Sequence, residues 1–190
     1  MRRLLWVSDT IDRLLLSLAT VASWLFLFLA VAIVLDVTTR KLGFRIPMMT
    51  STRFQELEWH IHTFLFSVWF GATYVKDKHV RVDLLSQGFS QKGRAWAELF
   101  GILVLAIPFC LVGLYFSIDY AFIAWMTNEG SELGQGLPAR WVPKAIIATG
   151  IFLFLLACLS VGLRSAAVLG AGVEDVEELE QHEGGEGQGH

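Results

Sequence analysis

The chain has 190 residues, of which 54% are hydrophobic and only 17% charged, with a mean hydropathy of +0.54. Soluble domains run nearer a quarter charged and interleave charge with apolar residues, so this composition excludes an ordinary soluble enzyme or binding module. Seven of the 18 acids (Glu174, Asp175, Glu177, Glu178, Glu180, Glu183, Glu186) lie in the last seventeen residues, which leaves 11 acids against 15 Lys and Arg, a body of about +4 beneath a formal charge of −3.

Residues 1–13 mix Leu4, Leu5, Val7 and Ile11 with Arg2, Arg3, Asp9, Asp12 and Arg13, the pattern of a short interfacial lead-in. Charge-free runs follow at 14–35, 99–118 and 145–163, each near the ~20 residues that cross a ~30 Å hydrocarbon core as a helix. Three such runs define an integral membrane protein. The apolar run after MRRLLW is too long for a signal-peptide core and ends in no small-x-small cleavage site, so it reads as an uncleaved first span.

The second span is the unusual one. Only 63–75 is free of ionisable groups, too short to cross, so the helix has to begin near Phe54. It then carries Glu56, Glu58, His60 and His62 in its first two turns, with Glu56 and His60 on one side and Gln55, Glu58 and His62 on another. Carboxylates cost far less near the membrane interface than at its centre, so this end belongs at headgroup depth or against protein. From Lys76 to Arg94 the chain is polar, with Val80, Val82 and Leu84 alternating with Arg81 and Asp83, as in a short extended or surface-lying piece.

Pro108 should bend the third span, because it removes a backbone donor and crowds the preceding turn. A Gly- and Pro-rich linker then leads to the fourth span, with Trp125 and Trp141 at interfacial positions and Arg164 near the cytoplasmic end. Cys110 and Cys158 fall mid-span, where they read as small apolar fillers. The fold expected is all-α, an integral membrane protein of four transmembrane helices. Its spans lie at about 14–37, 54–75, 95–121 and 144–169, with a disordered acidic, Gly-rich tail at 170–190. Four spans place both termini on one side. That side holds Arg2, Arg3, Arg13, Lys76, Lys78, Arg81, Lys92, Arg94 and Arg164. The other holds Arg40, Lys41, Arg45, Arg53, Arg140 and Lys144, and nine against six puts both termini in the cytoplasm.

Signatures of catalysis are missing: there is no serine elbow, HExxH, Gly-Lys-Ser/Thr phosphate loop or CxxC. The basic residues flank hydrophobic runs and form no nucleic-acid patch. A complete carrier would show repeated halves and broken helices meeting at a midplane site, and these spans do not. Potential metal or haem ligands are Glu56, Glu58, His60, His62 and His79. A four-helix redox or metal-binding membrane protein built on His60, His62 and His79 is therefore the alternative reading. Against it, His60 and His62 point different ways and the other three spans carry no histidine.

The pair Glu58-Trp59, then Gly71-Ala72, then His79-Val80-Arg81-Val82-Asp83, with the linker GLPARWVPKAII before a last apolar helix, resembles the small membrane subunit of tripartite ATP-independent periplasmic (TRAP) transporters, the DctQ type. The resemblance covers roughly residues 10–168. It implies a small scaffold subunit in the bacterial cytoplasmic (inner) membrane, neither an enzyme nor a cofactor or metal protein. That subunit pairs with a large permease subunit, which carries the solute and the coupling ions. A periplasmic solute-binding protein delivers the solute, and uptake of organic acids (C4-dicarboxylates or related carboxylates) is driven by an ion gradient. Membrane lipids are the remaining partner, and nucleic acid is not one. Within the resemblance, Glu56, Glu58, Trp59, His79, Arg81 and Asp83 are the candidates for the subunit interface. Arg140 and Lys144 are the candidates for docking the solute-binding protein.

Overall fold

The computed structural model describes residues 2–43, 50–76, 90–132, 134 and 136–171. They form four helices: α1 (Arg2–Leu42), α2 (Ser51–Val75), α3 (Gln91–Met126) and α4 (Trp141–Ala171). Three of these, α1, α3 and α4, are long and apolar enough to cross a membrane; α2 is shorter and opens with its charges. The architecture among the described residues is thus all-helical, as expected.

Several boundaries differ from the sequence reading. Residues 2–13 are continuous with the first span, since α1 runs unbroken from Arg2 to Leu42. At 1.5 Å per residue it is about 60 Å long, about twice the hydrocarbon thickness. Its buried positions explain the continuity: Ser8, Leu15, Ala22, Leu29 and Asp36 recur every seven residues, with Leu5 and Asp12 beside them. This seven-residue seam keeps one face against the neighbouring helices over the whole length. Helix α2 starts three residues before Phe54, where the Thr50 side chain accepts from the Arg53 N–H as an N-cap. Beyond Ala171 the expected tail lies outside the described residues, as does most of the polar connection between α2 and α3.

Pro108 acts by a wider turn. Residues Ile102–Ala106 form a π-helical turn in which the Ile107 N–H reaches the Ile102 carbonyl, five residues back. The buried positions of α3 are Ala95, Ile102, Cys110 and Ala124, so the spacing is seven, then eight, then fourteen. The π turn absorbs the extra residue and keeps Cys110 on the α4 side. There Cys110 and Cys158 are free thiols, both fully buried, filling the α3–α4 seam as the small apolar residues expected of them.

Helix α4 packs against all three others, and α3 packs chiefly against α4. The central cluster joins Leu15, Ala22 and Leu29 of α1 to Leu65 and Val68 of α2 and to Leu153 and Ala157 of α4. Between α2 and α4 the backbones come close. A Cβ on Gly71 would lie 2.9 Å from the Leu153 carbonyl oxygen, and one on Gly150 would lie 2.6 Å from Ser67 Cβ. Ser67 and Gly71 are four apart, the small-xxx-small spacing that lets membrane helices pack closely.

Candidate functional site

The polar chemistry gathers at the two ends of the bundle. At one end the first turns of α2 meet the loop from α3 to α4. That loop leaves α3 through a Schellman motif: Asn128 takes the left-handed conformation (φ 48°), its N–H bonds the Trp125 carbonyl and the Glu129 N–H bonds the Ala124 carbonyl. The loop re-enters helix through Ala139, also left-handed at φ 63°, where an alanine bears strain that a glycine would not. The Arg140 N–H donates to the Glu129 carbonyl at 2.9 Å, which closes the loop.

Glu56 is the centre of this end, only 5% exposed. Ser131 Oγ donates to its Oε1 at 2.5 Å, the Leu137 N–H donates to Oε2, and Arg140 Nη2 lies 3.5 Å from Oε1. A Cβ on Gly136 would sit 2.2 Å from Glu56 Oε2, so only a glycine lets the loop wrap so closely. Two backbone or hydroxyl donors and one guanidinium offset the loss of water around the carboxylate. Glu56 therefore binds this chain's own loop, seventy-five or more residues away in sequence.

The neighbouring residues extend the cluster. Arg140 also lies 3.7 Å from Glu132, and its guanidinium sits over the Trp59 ring at 5.7 Å from the centroid. Trp59 in turn lies against His60, with ring centroids 4.2 Å apart and planes tilted by 36°. Lys144, expected as a docking residue, is only 8% exposed. Its Nζ is 2.5 Å from Glu129 Oε2 and 3.7 Å from the centre of the Tyr120 ring. It closes α3 onto α4. On the α1 side, Asp36 (2% exposed) pairs with Arg40 at 2.6 Å and accepts from Ser51 Oγ at 3.2 Å. Glu58 leaves Oε1 buried without a hydrogen-bond partner among the described residues, as does Nε of Arg140. His79, Arg81 and Asp83 lie outside the described residues. Among the described residues no group of three or more His, Cys, Asp and Glu side chains is placed to hold a metal ion; His60 Nδ1 is turned to the Glu56 carbonyl of its own helix.

The other end was not foreseen from the sequence. Arg164 Nε donates to Ser8 Oγ at 3.0 Å, Ser8 and Ser160 hydroxyls lie 2.7 Å apart, and Ser160 Oγ donates to Asp12 Oδ1 at 2.5 Å. With Ser160 donating to Asp12, Ser8 donates to Ser160, and each hydroxyl donates one hydrogen bond in a chain that runs from guanidinium to carboxylate. Arg164 Nη2 also bonds Asp9 at 2.5 Å and Asp12 at 3.0 Å. Arg164 is thus a clamp between α1 and α4, not a free residue at the helix end.

The spacing of the two ends is informative. Asp12 to Asp36 on α1 is about 36 Å and Lys144 to Arg164 on α4 about 30 Å at helical rise, which matches the ~30 Å hydrocarbon slab. Between them no Asp, Glu, Lys or Arg occurs from Leu14 to Leu35 on α1, from Leu99 to Ile118 on α3 or from Ala145 to Leu163 on α4, and apolar side chains such as Trp24, Phe109 and Phe116 are more than half exposed. This is the build of a membrane-embedded helical bundle with polar clamps at both faces. The family described as tripartite ATP-independent periplasmic transporters, DctQ component, matches residues 29–167, and the chain belongs to it. It is accordingly a transporter component of the TRAP small-permease-subunit type, and that family is not one of enzymes. No curated protein and no solved structure matches the chain.

Proposed function

We propose that this chain is the non-catalytic scaffold of a TRAP transporter: it sits in the inner membrane, braces a large permease subunit, and needs no cofactor or metal. The observation that supports this best is where its polar groups are used. Glu56, Arg140 and Lys144 at one end, and Asp12, Ser160 and Arg164 at the other, bind this chain's own elements. No Asp, Glu, Lys, Arg or His lies midway along α1, α3 or α4 to pass a polar solute. Solute and coupling ions therefore travel through the large subunit, and the solute is an organic acid delivered by a periplasmic binding protein.

In this reading α2 is the fourth span. From Glu58 to Lys76 it measures about 27 Å, and its charged first turns are sheltered by the α3–α4 loop. Both termini are cytoplasmic, which puts the Ser8–Arg164 clamp at the inner face and the Glu56 clamp at the outer. The apolar surface of α3, which packs on one helix alone to any extent, is shared between lipid and the large subunit. The interface also draws on Glu58, Trp59 and the segment holding His79, Arg81 and Asp83.

The test is purification of the tagged chain from native membranes in mild detergent, with its partners identified and an absorption spectrum recorded. A much larger multi-span permease in near-equal amount, with no visible band, is the expected result. A lone chain carrying a Soret band or stoichiometric metal overturns the proposal and points to His60, His62 and His79.

A further inference from the structure

Helices α2 and α3 both lean on α4 but share no extended packed interface with each other among the described residues. The wedge between them holds two cavities of about 350 Å³ and 490 Å³ that meet at Tyr74 and Glu98. Their linings differ in order along α3. The first is bordered by Gln91, Arg94, Arg164 and Ser165; the second by Gly101, Ile102, Leu105 and Phe109, the face of the π turn. Polarity thus falls from the helix end towards the bilayer centre, as it does along a membrane lipid. From Arg94 to Phe109 is about 22 Å, enough for a headgroup and one chain crossing a leaflet of roughly 15 Å, half the hydrocarbon core.

Charge at the mouth selects the headgroup. Arg164 is neutralised by Asp9 and Asp12, and Glu98 already has partners within the chain. Arg94 makes no ion pair among the described residues. Arg94 is therefore the cation lining the polar cavity that has no carboxylate partner among the described residues. Basic pockets between membrane helices are where anionic headgroups bind. We infer that the α2–α3 wedge is a binding site for one anionic phospholipid, its phosphate on Arg94 and one acyl chain along the π turn of α3. The inference rests on the chain's crossing a bilayer but not on the identity of its large partner.

The test places a photoreactive phenylalanine analogue at Leu105, inside the wedge, and a second at Tyr115, 69% exposed and not among the residues lining either cavity, in the full-length chain expressed with its partners in native membranes. After irradiation, adducts are read by mass spectrometry. Phosphatidylglycerol or cardiolipin adducts are expected at Leu105, enriched at least threefold over those at Tyr115. Arg94→Gln should lower the Leu105 adduct at least fivefold. Gly101→Phe should abolish it by filling the apolar cavity, since a Cβ there meets nothing within 4 Å. The same lipid mixture at both probes, or insensitivity to both substitutions, overturns the proposal by showing bulk lipid. A peptide adduct from residues 77–89 or from another subunit overturns it by naming a different occupant. Co-purification of the permease, read on the same sample, reports separately on the scaffold role.

Discussion

The two ends of this bundle solve one problem in different ways. At the Glu56 end a carboxylate on one helix is captured by a loop, through a backbone N–H, a hydroxyl and a guanidinium. At the Ser8 end the capture is helix to helix, through side chains spaced four apart on each partner: Ser8 and Asp12 on α1, Ser160 and Arg164 on α4. The first arrangement depends on a loop conformation with a left-handed alanine and a glycine that admits no Cβ. The second depends only on two helices being in register. A loop-held end should therefore be the more fragile to substitution, and the more responsive to a partner.

The largest expected effect comes from Glu56→Ala. It leaves Arg140 and two donors without their acceptor in a buried place, at a cost of about 3–5 kcal/mol. Thermal unfolding in nanodiscs should register that loss, and limited proteolysis should show cutting at residues 129–140. An unchanged cleavage pattern would mean that the loop holds itself. Gly150→Val comes next, at about 1–3 kcal/mol, because its side chain would overlap Ser67 on α2. It should loosen both ends together, which separates seam damage from damage to either clamp.

Arg164→Gln should cost less, roughly 1 kcal/mol, since the guanidinium is about a third exposed and solvent screens it. Ser160 still satisfies Asp12, so proteolysis of the α3–α4 loop should stay as in the parent chain. The smallest effect is a gain. Ala139→Gly removes the left-handed strain and should raise stability by about 1 kcal/mol, detectable as a higher unfolding midpoint; a loss instead would show that alanine's stiffness is what keeps the loop closed.

Much of the fold was legible in the sequence. The hydrophobic runs gave α1, α3 and α4, and the requirement that charges sit at an edge put the start of α2 within three residues of its place. Pro108 announced a distortion, though its form, a π turn that re-phases the α4-facing seam, needed the spacing of Ala95, Ile102 and Cys110 to be read against the proline. The polar partners were not legible. Glu56 meets Ser131 and Leu137, and Ser8 meets Ser160 and Arg164, across distances no local periodicity encodes. One signal was available: Ser8, Leu15, Ala22, Leu29 and Asp36 repeat every seven residues, which marks two polar residues as seam positions and forecasts partners for both. Lys144 and Arg164 looked like boundary cations because charge counting assigns a side of the membrane but not a direction around the helix.

The helix on which the other three converge is also the last of them to leave the ribosome. Until α4 arrives, α1 enters the bilayer with Ser8 and Asp12 unmatched and α3 with almost nothing to lie against, while Glu56 of α2 waits only for the loop that precedes α4. Synthesis therefore runs through a stage in which α1 waits beside the insertion machinery with polar groups that no lipid can satisfy. Completion of α4 satisfies them. A ribosome that stalls before Trp141 should yield not a partial scaffold but a substrate for membrane proteolysis.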